Sequence, residues 1–269
     1  VRFEELTRRP DAEIDLATAA LLVAADAYPE LELEPWLERL DHLGEELRGR
    51  LEGLDSDFDQ LQELKGYLFE ELGFRGNTED YYDPRNSFLN DVLERRLGIP
   101  LSLGVLAIAV GERAGVPLLG IGFPGHFLIR HAHHPELFLD PFEGGRFLTD
   151  PECAEILDRV SGGRMVFDRE LLRPIPARQV IQRMLLNLRS IYLHREELHR
   201  AMGVLDRLVQ LEPDRPRHKR DRGILRVHCS DPRGIEDLES YLEALPEASD
   251  RQEIEKVLKE ARQRLASPH

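Results

Sequence analysis

Over most of the first hundred positions apolar residues recur at three- and four-residue steps, a period that predicts helices. In "DLATAALLVAADAYPE" Leu16, Ala19, Ala20, Val23 and Ala27 share one face, and Pro29 ends the run. "PWLERLDHLGEELRGRL" opens at Pro35 and repeats Trp36, Leu40, Leu43, Leu47 and Leu51 in the same way. A third helix is expected from Phe58 to Leu72, with Gly73 as its stop. "RNSFLNDVLERRLGIP" predicts a fourth, capped by Asn86 or Ser87, with Leu89, Val92 and Leu93 facing inward. Gly98 suits the left-handed position after its last turn. Pro100 then opens "LSLGVLAIAVGERAG", which is apolar on nearly every side until Glu112 and predicts a helix buried at the centre of its domain.

After Gly115 the period shortens. "VPLLGIGF", "HFLIRHA" and "ELFLDPF" are short aliphatic and aromatic runs separated by Pro, Gly and a histidine cluster, and they read as strands of a mainly antiparallel sheet. Helices first and strands afterwards make this region α+β. The two prolines of "RPIPARQV" (Arg173 to Val180) look like a linker, beyond which every segment reads as helix. There "AMGVLDRLVQLEP" (Ala201 to Pro213) overlays "GIEDLESYLEALP" (Gly234 to Pro246) at a spacing of 33 residues. Ala201 matches Gly234, Leu205 matches Leu238, Val209 matches Leu242, and proline ends both blocks. A period near 34 with small residues midway resembles tetratricopeptide helix pairs. The expected organisation is therefore an α+β domain over residues 1–172 and an all-α repeat region over 177–269.

Composition narrows the function classes. The 269 residues are 41% hydrophobic and 32% charged, with a net charge of −15. A field of that sign argues against nonspecific binding to nucleic acid or anionic lipid. The longest uncharged, largely apolar run, Leu97 to Gly111, is too short and too rich in Gly and Pro to span a membrane. The N-terminus shows no signal-peptide apolar core, and Cys153 and Cys229 lie far apart with no CxxC spacing. A reducing, cytoplasmic setting without structural zinc is the expectation.

Three residues carry candidate chemistry. His126, after Pro124-Gly125, begins one predicted strand and Asp140 ends the next, so a turn at "AHHPE" would bring them together. A carboxylate there could fix the imidazole tautomer and leave the other ring nitrogen as a base. The alternative is a partly buried histidine bonded to backbone and an aspartate capping a turn before Pro141. Ser102, in the first turn of the buried helix, is placed as a nucleophile whose oxyanion would meet free backbone N–H groups. Its alternative is an N-cap or a small residue in a tight place.

Other signals are weaker. "GIGFPG" (Gly120 to Gly125) is a literal GxGxxG, but Pro124 sits inside it and a strand is expected to follow, which excludes a dinucleotide site. His131, His133 and His134 could join His126 on a metal, with His131 and His133 on one strand face, yet no acidic or Cys partner stands at ligand spacing, so "HAHH" reads as a solvated turn. No metal or other cofactor is expected. "RPRHKRDR" (Arg215 to Arg222) reads as a solvated polar face, or otherwise as a contact for an acidic protein.

A helix-borne nucleophile, then a strand "GH", then a strand "LDP", in that order, resembles the papain-like transglutaminase core of Cys-His-Asp enzymes. More closely, "NSFLNDVLERRLGIPLSL", "GFPGHFLIR" and "LDPFEGGR" resemble the bacterial SirB-type transglutaminase-like proteins, in which such a core precedes tetratricopeptide repeats. The resemblance runs over nearly the whole chain. It implies that Ser102 stands where the core has its nucleophilic Cys, His126 on its His and Asp140 on its Asp. Asn86, Asn90, Arg95 and Arg96 match the family's helix motif, where they tie that helix to the site or hold the fold. Serine at the nucleophile position departs from the catalytic pattern, because a hydroxyl needs a well-placed base at the moment of attack. Two readings follow. One is a retired core acting, through its groove and repeats, as a scaffold for a protein or peptide partner. The other is a hydrolase or acyl transferase working on a peptide or small amide with a Ser102-His126-Asp140 triad.

Overall fold

The computed structural model describes residues 2–266, in two compact units divided between Met184 and Leu185. The first unit starts with α1 (Phe3–Thr7), α2 (Leu16–Ala25), α3 (Glu34–Arg50) and α4 (Asp57–Lys65), the last continued by a π-helical turn over Gly66–Glu71. Then come β1 (Arg75–Gly76), a 3-10 turn (Pro84–Asn86), α5 (Leu89–Arg95), β2 (Leu97–Gly98) and α6 (Pro100–Ala114). β3 (Leu118–Ile121), β4 (Leu128–His131), β5 (Phe138–Asp140) and β6 (Arg146–Leu148) follow, and α7 (Asp150–Ser161) and the start of α8 (Ala177–His194) complete the unit.

α6 is the centre of this unit, as its uniform apolarity predicts: it is buried along nearly its whole length and packs on α2, α3, α5, β3 and β4. The approach to the sheet is close. A Cβ on Gly104 would stand 2.5 Å from the ring of Phe127, so glycine is what lets the aromatic ring lie on the helix backbone. β3 to β6 form one antiparallel sheet in sequence order, with Ile129 opposite Leu139 and Asp140 opposite Arg146. β6 and the short parallel pair β1–β2 have too few patterned residues to be read from the sequence, whereas α7, with Cys153, Ile156 and Leu157 on its buried face, was legible and missed.

Two local expectations change. The segment 85–100 is not one helix, because the 3-10 turn ends at Asn86 and α5 starts at Leu89 with no side-chain cap. The left-handed residue after α5 is Arg96 (φ 58°), not Gly98. Gly98 is instead demanded by packing, since a Cβ there would lie 2.8 Å from Ser102 Oγ. The stretch read as a linker also has a structural task. Pro174 bridges to Ile121, and Ile175 N–H donates to Gly120 O (2.9 Å), which covers the free edge of β3.

The second unit holds the rest of α8, then α9 (Leu198–Leu211), α10 (Pro216–His228), α11 (Arg233–Ala244) and α12 (Arg251–Ala266). The small residues of the repeat mark helix crossings. A Cβ on Gly223 would meet Leu238 at 2.8 Å, and one on Gly234 would meet Gly223 O at 2.7 Å. Val227, Leu238, Tyr241, Leu242, Ile254 and Leu258 fill the core beneath them. The fold class is α+β followed by all-α helical repeats.

The basic stretch is largely neutralised inside this unit. Arg222 and Arg226 both pair with Asp206 and Asp237, the latter buried, and Arg220 pairs with Asp221 and Asp250. These arginines lock α9, α10 and α11 together, so the expectation of a solvated or partner-facing basic face is corrected for them. The charges face each other because the helix crossings bring acidic residues from neighbouring helices onto the same surface.

Gly104→Ala is expected to destabilise the first unit by about 1–3 kcal/mol, the usual cost of overpacking a core. A urea titration followed by circular dichroism measures it, and an unchanged midpoint would contradict the close contact of Phe127 with α6.

Candidate functional site

The turn between β3 and β4 carries His126, and β5 ends at Asp140. Because β4 and β5 are adjacent antiparallel strands, the two side chains meet: His126 Nε2 lies 2.8 Å from Asp140 Oδ2. Asp140 is buried, and its other oxygen accepts the backbone N–H groups of Phe142 (3.0 Å) and Glu143 (3.3 Å). Three partners therefore fix this carboxylate. With Nε2 held as the donor, Nδ1 is the nitrogen left to accept a proton.

Arg183 of α8 holds the turn from behind. Its guanidinium donates to Gly122 O (2.9 Å), Phe123 O (2.9 Å) and His126 O (2.7 Å). Burial pushes its pKa down, while these three carbonyls take three of its five N–H donors. Sequence reasoning missed this residue. The available signal was an arginine beside Val180, Ile181 and Met184 on the buried side of a helix.

Ser102 is at the third position of α6, not at its cap. Its hydroxyl accepts the N–H of Ile99 (3.1 Å) and donates to Asn86 O (2.5 Å), with Ile99 O at 3.3 Å as a second acceptor. A hydroxyl has one proton, and here it points to backbone carbonyls. None of the hydrogen bonds of Ser102 reaches His126. The structure thus joins two of the three expected site residues as a dyad and ties the third into the backbone of a neighbouring turn.

Asn86 is the junction of that neighbourhood. Fully buried, it accepts Asn77 Nδ2 (3.0 Å) and Arg95 Nη1 (3.4 Å) on Oδ1 and donates from Nδ2 to Asp80 O (2.7 Å) and Tyr81 O (3.3 Å). Arg95 also pairs with Asp83 (3.3 Å), whose carboxyl is held below its usual range by the Arg85 hydrogen bonds despite its burial. Arg96 gives its carbonyl to Arg75 N–H across the β1–β2 pair (3.0 Å). Asn90 Oδ1 is buried with no hydrogen-bond partner among the described residues.

Aromatic rings border the dyad. Phe142 stands edge-on to His126 (6.4 Å between centroids) and contacts Tyr81, which in turn meets the exposed Tyr82. On the other side Gly125 abuts the half-exposed Val160 of α7, with its Cβ position 3.2 Å from Val160 Cβ. Cys153 is no substitute nucleophile. Burial, with Asp150, Glu152 and Asp140 nearby, pushes its thiol up to about 12, the opposite of an activated thiolate.

Ser102→Ala leaves two buried backbone groups without their partner, and a loss of about 1–3 kcal/mol in folding free energy is expected by chemical denaturation. A thiol reagent at pH 8 should modify the exposed Cys229 in the native protein and reach the buried Cys153 only in denaturant. Two fast-reacting thiols in native protein would contradict that burial.

Residues 34–186 match the transglutaminase-like superfamily, and residues 188–259 match the tetratricopeptide repeat. A UPF0162 protein of Xylella fastidiosa (strain Temecula1) is 39% identical over 249 residues, 91% of this chain and 89% of that protein. A UPF0162 protein of Pseudomonas aeruginosa is 33% identical over 208 residues, 77% of this chain and 75% of that protein. Human F-box only protein 21 is 34% identical over 140 residues, 49% of this chain but 21% of its own length. No solved structure gives a significant match. The extent of the bacterial matches and the transglutaminase-like region of 34–186 lead to one conclusion: the chain belongs to the UPF0162 family, a transglutaminase-like domain followed by tetratricopeptide repeats.

Proposed function

We propose that this protein is a scaffold that binds a protein or peptide, and that its transglutaminase-like core is retired from acyl transfer. The observation that carries this reading is the fate of the Ser102 proton, which goes to Asn86 O (2.5 Å) and not to the imidazole. Attack on an acyl carbon needs that proton delivered to a base in line with the nucleophile. Here the base and the hydroxyl are bonded to different partners, and freeing the hydroxyl would strip Ile99 N–H and Asn86 O of their buried partner.

The second unit supplies a surface for the partner. Helical repeat arrays present side chains of stacked helices to extended segments. α8 and α10, the first helices of the two pairs, each leave one large aliphatic side chain in the open: Leu193 is 42% exposed and Ile224 40% exposed. Within the first unit the dyad is a polar anchor of its own, its Nδ1 free to accept a donor from a peptide beside Tyr81, Tyr82 and Val160. A SirB-type role in the reducing cytoplasm is consistent with this reading. Among the described residues no helix is long and apolar enough to cross a membrane.

The 2.8 Å contact of His126 with Asp140 favours a second reading, a hydrolase or acyl transferase in which a ligand turns Ser102 toward Nδ1. A fluorophosphonate probe separates the two. Scaffold chemistry leaves Ser102 unlabelled, whereas an adduct on Ser102 that disappears in His126→Ala overturns the scaffold reading. Peptides selected from a displayed random library on the full chain should keep their affinity for Ser102→Ala at temperatures where that variant is folded. They should lose about tenfold or more when Leu193→Glu and Ile224→Glu are combined.

A further inference from the structure

The histidine cluster of the β4–β5 turn acquires a partner from far away in the chain. Asp57, the first residue of α4, projects its carboxylate into the cluster. Its Oδ2 lies 3.2 Å from His133 Nδ1, 3.4 Å from His134 Nε2 and 3.7 Å from His131 Nδ1. One ligand atom from each of Asp57, His131 and His133 lies within 4.8 Å of the other two.

Ordinary hydrogen bonding accounts poorly for this arrangement. The His133 Nδ1 contact is a hydrogen bond, whereas His134 Nε2 and His131 Nδ1 approach the same oxygen without one. His131 is 1% exposed, and its Nε2 is buried without a partner among the described residues. Its Nδ1 faces the cluster and accepts a long bond from His133 N–H (3.3 Å), which a metal ion on that nitrogen's single lone pair would displace.

The spacings fit coordination instead. Zinc bound tetrahedrally by imidazole and carboxylate at about 2.0–2.1 Å sets its ligands about 3.3 Å apart. The two imidazole ligands stand 3.2 and 3.7 Å from Asp57 Oδ2, either side of that edge length, and the edge between them is within 4.8 Å. We propose that Asp57 Oδ2, His131 Nδ1 and His133 Nδ1 bind a divalent transition-metal ion of the zinc class, with water as the fourth ligand. His134 stands beside the same carboxylate oxygen and orients it. Imidazole and carboxylate together select zinc, cobalt, nickel or copper over magnesium and calcium, which prefer oxygen donors throughout. The ion would staple the start of α4 to the β4–β5 turn, a contact between segments more than 70 residues apart, so binding is coupled to folding of this unit. The dyad is served by different residues, and the site stands whichever reading of the dyad is correct.

The test uses the full chain without a polyhistidine tag, freed of metal by chelator and dialysed. Zinc chloride is titrated calorimetrically, and cobalt chloride is followed in the visible spectrum. One zinc per chain is expected, with the intense visible bands of four-coordinate cobalt and a rise in melting temperature that magnesium chloride does not give. His133 is 69% exposed on its side chain, so His133→Ala is expected to fold normally and to weaken zinc about 100-fold or more. Asp57→Asn should do the same, while His199→Ala, which removes an exposed histidine elsewhere, should leave the affinity unchanged. Equal affinity in the wild type, His133→Ala and Asp57→Asn would overturn the proposal. So would a cobalt spectrum that stays that of the six-coordinate aquo ion.

Discussion

The buried amide of Asn86 is the interaction on which the surroundings of Ser102 depend. Its side chain closes four hydrogen bonds and its carbonyl takes a fifth from Ser102. Each such bond contributes only about 1 kcal/mol net, but a buried group left unpaired costs more than a made bond gains. The turn that bears Tyr81 and Tyr82, the Arg95 end of α5 and the first turn of α6 must therefore sit where they do together. Any shift of one orphans polar atoms on another. Ser102 is part of this closed set through its bonds to Ile99 N–H and Asn86 O.

His126 and Asp140 are organised by a separate and equally closed arrangement. The carboxylate has three donors, and the turn carrying the imidazole is gripped by Arg183 through three carbonyls. Rigid support of this kind is what a catalytic base needs, and it is equally what a recognition site needs to present one acceptor in a fixed direction. The fold pairs His126 with Asp140 while bonding the Ser102 hydroxyl to Asn86 O.

In the second unit the balance is electrostatic. Asp237 is buried on α11 between Arg222 and Arg226, and Asp206 meets the same two arginines from α9. Removing one partner from such a cluster leaves a buried charge uncompensated, so the network fixes the order and stagger of the helices more than it adds net stability. Glycines at the crossings let the backbones approach closely enough for those pairs to form. An acidic protein thus carries a basic stretch that is mostly answered internally.

Periodicity alone was enough for α2, α3, α6 and the repeat helices, because each buries one face or all faces and the spacing of apolar residues records that directly. The order Ser102, His126, Asp140 and the hairpin logic that joins the last two were legible for the same reason: neighbouring antiparallel strands are a local matter. The destination of the Ser102 proton was not, since it is set by a carbonyl 16 residues away whose position depends on Asn77, Asp80 and Arg95. Arg183 lies 57 residues from the turn it holds, and Asp57 lies 76 from His133. Sequence pattern reports which side of an element faces the core. Which polar atoms meet there is decided only when the core closes and brings distant segments within 3 to 4 Å, because hydrogen bonds and ion pairs act over contact distances and leave no period in the chain.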